Sequence, residues 1–221
     1  MSANKYGNVL TVVLVILVIA IITGLGFLVY NYVIKPRDNN RTIAAIEEFD
    51  RNVEEEEKQE EENQEELNTT VSPTKPTEGV GTRKKKTYYE GFVMIGYITI
   101  PKTNVKQPIL DVVTPESLNK AVAALYPSNP QLNKPGNVVI VGHNYRNGQF
   151  FSNNKNLSTG DKIKIKDETG TELTYTIYEK FETSEQDTSF YNRNTNGAIE
   201  VTLSTCTDDS KARTIILARV E

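Results

Sequence analysis

Positions 9–30, "VLTVVLVILVIAIITGLGFLVY", form a run of 22 residues without a charged side chain. As a helix this run is long enough to cross a hydrocarbon core of roughly 30 Å. It exceeds a secretory h-region in length and is followed by no small-x-small cleavage signal, so it reads as an uncleaved membrane anchor. The pattern then reverses. Positions 42–68, "TIAAIEEFDRNVEEEEKQEEENQEELN", have few apolar residues and a dense run of Glu, and are expected to form a solvated helix or stalk that buries no core. Positions 71–86, "VSPTKPTEGVGTRKKK", mix Pro, Gly and Thr before four consecutive basic residues and read as a linker.

From position 87 onward the periodicity is mostly that of strands. "FVMIGYITI" is β-branched and aromatic and is stopped by Pro101; "VKQPIL" follows as a second short strand. "TPESLNKAVAALY" (114–126) predicts a helix, with Thr114 as N-cap, Pro115 in the first turn and Glu116 beside it. "NVVIVGH" is an apolar strand ending at Gly142 and His143. "DKIKIKD" alternates strictly, and the "ETG" turn joins it to "TELTYTIYEKFET" as a hairpin. "AIEVTLSTC" and "RTIILARV" complete the set. Many short strands with one or two short helices predict an all-β barrel or sandwich. The chain therefore divides into a short tail (1–8), an anchor (9–30), an acidic stalk and linker (31–86) and a folded domain (87–221).

Charge adds little to this picture. With 25 basic and 29 acidic residues, the net charge of −4 excludes the strongly basic footprint of a nucleic-acid-binding protein. Around the anchor, Lys5 precedes the span and Lys35, Arg37 and Arg41 follow it. That count taken alone favours a cytoplasmic carboxyl side.

Cysteine and histidine change the picture more. The chain holds one of each, His143 and Cys206, both at the ends of apolar strands. They cannot complete a four-ligand zinc site without carboxylates, and a lone thiol cannot form an internal disulfide, so no metal or cofactor is expected. In "EVTLSTC" strand parity puts Val201, Leu203 and Thr205 on one face and Glu200, Thr202, Ser204 and Cys206 on the other. A hairpin through "TDDSKA" returns Arg213 beside Cys206. A cation next to a thiol favours the thiolate and can hold a developing oxyanion, and an imidazole can move the proton. The residues alone leave two readings open, a Cys/His/Arg site or a structural Cys with a surface His.

"TLSTC" followed by Arg213 on the next strand, with "VGHN" upstream, resembles the sortase family, in the order His, Cys, Arg and over 92–220. The resemblance implies an eight-stranded β-barrel cysteine transpeptidase. It further implies that Cys206 attacks the threonyl carbonyl of an LPxTG-like sorting signal, that His143 serves as acid and base, and that Arg213 steadies the oxyanion or the substrate. Thr205, Asn144 and Ser204 are the implied substrate contacts. The implied partners are surface proteins with a C-terminal sorting signal, an amine acceptor such as a peptidoglycan precursor, and the membrane. The resemblance also implies a cytoplasmic amino terminus and an outer catalytic domain, against the charge count. "TLSTC" is similar to class B, whereas "GHNYRNGQFF" before "GDKIKI" is similar to class A or D. No second hydrophobic span follows Glu221, which does not fit class C.

A papain-like peptidase would place Cys before His, and a cysteine L,D-transpeptidase would need a second His. The alternative from another class is a membrane-tethered β-domain that binds a surface partner without catalysis, leaving His143 and Cys206 incidental.

Overall fold

The computed structural model describes residues 3–30, 35–69 and 85–221. The chain divides into two compact units, 1–44 and 45–221. In the first, helix α1 spans Ala3–Val29, and its 21-residue stretch Val9–Val29 has a mean hydropathy of 3.2 with none of it buried in the protein. By length and composition this helix could cross a membrane. Within this stretch the Thr23 hydroxyl donates to the Ile19 and Ala20 carbonyls and so is paired inside the helix.

The second unit is a closed β-barrel. Its strands are β1 (Thr87–Tyr89), β2 (Phe92–Ile100), β3 (Val105–Leu110), β4 (Val122–Tyr126), β5 (Gly136–Val141), β6 (Lys162–Asp167), β7 (Glu172–Thr183), β8 (Ile199–Cys206) and β9 (Arg213–Val220). Hydrogen bonding runs in the order β2-β3-β4-β5-β8-β9-β7-β6, and β6 pairs back onto β2. Eight strands thus close the barrel and leave no free edge, with β1 added outside β2 through a Glu90-Gly91 turn at positive φ. The β3–β4 and β5–β8 pairs are parallel; the others are antiparallel. The interior is filled by branched side chains from every wall, among them Ile98, Ile109, Ile140, Ile163, Val201, Leu203 and Ile216. The alternation in "DKIKIKD" is realised: Ile163 and Ile165 are buried, while Lys162 and Lys164 face water.

Two expectations are corrected. The helix predicted over 114–126 is only Pro115–Leu118, here α3. Thr114 caps it as predicted, in a capping box with Ser117, but the chain leaves the helix at Asn119 and continues as β4. Val122, Ala123 and Ala124 are buried between β3 and β5, and this two-sided burial overrides the helical preference of alanine.

The acidic segment, expected to bury no core, lies in helix α2 (Lys35–Thr69). Within the second unit its Ala45, Ile46, Phe49 and Val53 form a buried stripe at helical spacing. Ile46, Phe49 and Val53 pack with Met94 and Tyr97 of β2, the Phe49 and Tyr97 rings meeting edge to face at 6.0 Å. Asp50 pairs with Lys166 at 2.8 Å, and Asn52 donates to Thr87 at 2.9 Å. Four apolar side chains are few, but their spacing puts all of them on one face.

Candidate active site

The strand ends of β5, β8 and β9 meet at one rim. Cys206 is the last residue of β8 and stands opposite Arg213, the first of β9, as the hairpin predicted. The turn between them is closed by Thr207 N–H to the Ala212 carbonyl and by the Thr207 hydroxyl on Asp209. Directly opposite residues of an antiparallel pair share a face. The Arg213 guanidinium accordingly donates from Nη1 to Cys206 Sγ at 2.8 Å. The thiol is half-buried and free.

His143 lies two residues past the end of β5, which runs parallel to β8 with Val141 opposite Ser204. Gly142 N–H continues the pairing by donating to the Ser204 carbonyl. A Cβ at Gly142 would lie 2.8 Å from Val122 and 2.9 Å from Phe151, so this close approach requires glycine. His143 and Cys206 each lie two residues beyond the Val141–Ser204 pair. The His143 ring rests against Tyr145 at 4.9 Å between centroids, and the Tyr145 hydroxyl donates to Asn119 at 2.8 Å. Burial, and secondarily the Arg213 cation, hold the imidazole below its usual value of 6.5. His143 therefore sits neutral at neutral pH, in the electrostatic field of the guanidinium.

Asn144 ties the two strand ends together. Its amide donates to the Cys206 carbonyl and to the Asp208 carboxylate, each at 2.9 Å. Thr205 faces the other way. It is 3 % exposed, and its hydroxyl donates to the Gly142 carbonyl at 2.7 Å, so its side chain bridges β8 to β5 on the interior face. Ser204 shares the outer face with Cys206 but is buried. Geometry thus gathers Cys206, Arg213, His143 and Asn144, and turns Thr205 inward.

Parity in β8 holds, but its polar face is not wet. The connection 184–198 between β7 and β8 covers it. Phe190 of this connection is buried with Val139, Ile215 and Leu217, and Tyr191 packs against Tyr126 at 5.7 Å. Burial raises the Tyr191 phenol, and Arg213 offsets part of the rise, placing Tyr191 in the same electrostatic neighbourhood as the thiol's partner. Sequence reasoning missed this cover, because 184–198 carries neither strand nor helix periodicity. Among the described residues no group of three or more His, Cys, Asp or Glu is arranged to hold a metal ion.

Similarity to known proteins agrees with this geometry. The profile of the family described as Sortase domain matches residues 98–221, more than half of the chain. A solved Clostridium perfringens sortase D5 transpeptidase is 28% identical with a TM-score of 0.59, over 82% of this chain and 99% of that one. Streptococcus agalactiae sortase C1 in complex with MTSET is 23% identical with a TM-score of 0.53, over 58% of this chain and 69% of that one. Listeria monocytogenes sortase A is 21% identical with a TM-score of 0.53, over 58% and 87%. The latter two show likeness of fold. No curated protein matches the chain. Because the matched segment contains the barrel from Ile98 onward together with His143, Cys206 and Arg213, the chain belongs to the sortase family.

Proposed function

We propose that this protein is a membrane-anchored cysteine transpeptidase that cleaves an LPxTG-like sorting signal and joins the freed carboxyl to an amine. The observation that carries the reading is the 2.8 Å contact from Arg213 to Cys206 Sγ on a rim that also holds the only histidine. The thiolate is the attacking species, and a guanidinium donating to sulfur stands where it can meet that charge. The neutral His143 imidazole takes the Cys206 thiol proton, the resulting thiolate adds to the threonyl carbonyl carbon, and Arg213 or a nearby donor steadies the oxyanion. Collapse breaks the Thr–Gly amide, with the leaving amine taking a proton from the His143 imidazolium, and leaves a thioester on Cys206. An incoming amine attacks that thioester, gives its proton to His143 and releases the thiolate. Neither oxidant nor metal enters the balance.

The acceptor fits a cell-wall precursor amine or another amine at the outer surface. Helix α1 would anchor the chain in the membrane in a single pass, with residues 1–8 in the cytoplasm and the barrel outside. This orientation rests on the family's topology rather than on the flanking charges. Segment 31–86 would join anchor to barrel, its apolar stripe packing onto the latter.

The test is a sorting-signal peptide library offered to the full chain in detergent micelles, with a small amine as acceptor. A product in which the peptide, cut after its threonine, carries the acceptor supports the reading. Products from Cys206→Ala at the wild-type rate, or none from wild type across the library, would refute it.

A further inference from the structure

The cover over the outer face of β8 is held by a buried ionic clamp that the proposed chemistry does not use. Arg193, in the middle of 184–198, pairs with Glu200 of β8 at 2.7 Å, and the two side chains are only 21% and 7% exposed. Arg193 Nη1 donates to the Tyr178 hydroxyl of β7 at 2.7 Å, and Tyr178 in turn donates to Glu200 at 3.0 Å. Arg193 Nη2 also reaches Asn137 of β5 at 3.3 Å and Thr202 of β8 at 3.4 Å. Asn137 completes the lock, its amide donating to the Phe190 and Tyr191 carbonyls at 3.0 Å each. One guanidinium and one amide therefore fasten a 15-residue irregular connection to three neighbouring strands.

The location gives the clamp a role. The barrel interior is filled by Val201, Leu203 and their neighbours, and Glu200, Thr202 and Ser204 are buried beneath 184–198, so half-buried Cys206 is open to a peptide at the outer side of the rim, along the edge of that connection. Tyr191, two residues before Arg193, stands over that face beside Tyr126 and in the field of Arg213. An apolar plug of similar volume would hold the connection at least as firmly; what an ion pair with a planar fork adds is one fixed geometry.

We propose that Arg193, through Glu200, Tyr178 and Asn137, is a positioning residue that keeps 184–198 as a ready-made wall of the peptide groove, and so sets affinity for the sorting signal. The proposal rests on the transpeptidase reading. A wall already in place spares the ordering cost that a loose segment would incur on binding. If the wall is formed in only a fraction of molecules, apparent affinity falls by that fraction, while chemistry in the filled site is unchanged.

The experiment compares wild type, Arg193→Ala, Arg193→Lys and Glu200→Gln as full chains in detergent. It reads peptide kinetics, the rate of Cys206 alkylation by iodoacetamide, and limited proteolysis within 184–198. The expected result is a KM at least about 10-fold higher in Arg193→Ala, with kcat and alkylation within about twofold of wild type and new cleavage inside 184–198, the fold-change reflecting a wall formed about a tenth of the time. Arg193→Lys, which keeps the charge but not the fork, should lie between, and it serves if the alanine variant folds poorly. An unchanged KM despite new cleavage overturns the proposal and leaves the transpeptidase reading intact. Equal falls in kcat and in alkylation rate also overturn it, since they would show a general collapse of the rim. A wild type that turns over no peptide fails the transpeptidase reading itself, and the proposal with it.

Discussion

Phe49→Ala tests whether the acidic helix belongs to the folded domain. Phe49 is 2% exposed and packs against Ile46, Val53, Met94 and the edge of Tyr97. Truncating a fully enclosed phenylalanine costs about 3–5 kcal/mol. Here the ring lies between a helix and the outside of a barrel, so the helix can settle into part of the space. The edge-to-face contact with Tyr97, about 0.5–1.5 kcal/mol, is lost regardless. Together these give a loss of about 2–4 kcal/mol for the second unit, or about 5–15 °C in Tm for a domain of this size. Glu48→Ala, on the exposed side of the same helix, is the control, and should lie within about 0.5 kcal/mol of wild type. The assay is calorimetric melting of the full chain in mild detergent, with peptide kinetics at a temperature where both variants are folded. A Tm shift below about 2 °C, or one equal to that of the control, would mean that the stripe contributes nothing and that the segment is a spacer after all.

Four further outcomes are expected. The single histidine gives one imidazole titration by NMR, which should fall below 6.5 and move upward, without reaching that value, in Arg213→Ala, since burial is the larger cause and the cation the smaller. Because the folded value is depressed, neutral His143 contributes stability above about pH 6.5 that fades as pH falls through the folded value, and His143→Gln should remove this acid-side loss. Arg213→Lys keeps the charge and loses the planar fork, so kcat should fall about 10²-fold if the guanidinium aims bonds at the oxyanion; a loss below about fivefold would reduce its role to charge alone. Thr205→Val leaves the Gly142 carbonyl without its partner and should cost about 1–3 kcal/mol of stability while KM stays within twofold of wild type; a large KM increase would restore Thr205 as a substrate contact.

Local patterns made much of this legible. The β8–β9 hairpin follows from two apolar runs joined by a turn-rich hexapeptide, and strand parity then puts Cys206 and Arg213 on one face. His143 at the end of an apolar strand is similarly readable, though its neighbourhood with Cys206 depends on a parallel β5–β8 pairing between residues far apart in sequence. What stayed hidden depends on tertiary context. Ala123 and Ala124 favour helix until they are enclosed by β3 and β5. The stripe of Ala45, Ile46, Phe49 and Val53 is masked by the glutamates around it, although its i, i+1, i+4, i+8 spacing was visible. Arg193 sits in a segment without periodicity, and its partners Tyr178, Glu200 and Asn137 come from three different strands. Nothing local marks it, and only the fold shows that its charge is buried.

The most direct test of the central claim is the intact-protein mass of the full chain after mixing with an LPxTG-like peptide and no amine acceptor. The account predicts an added mass equal to the peptide up to its threonine, present on wild type, lost on addition of hydroxylamine, and missing from Cys206→Ala. A wild type that gives ligated product on later addition of amine, yet never carries that mass under rapid quenching, would contradict a covalent intermediate on Cys206. An equal adduct on Cys206→Ala would contradict it as plainly.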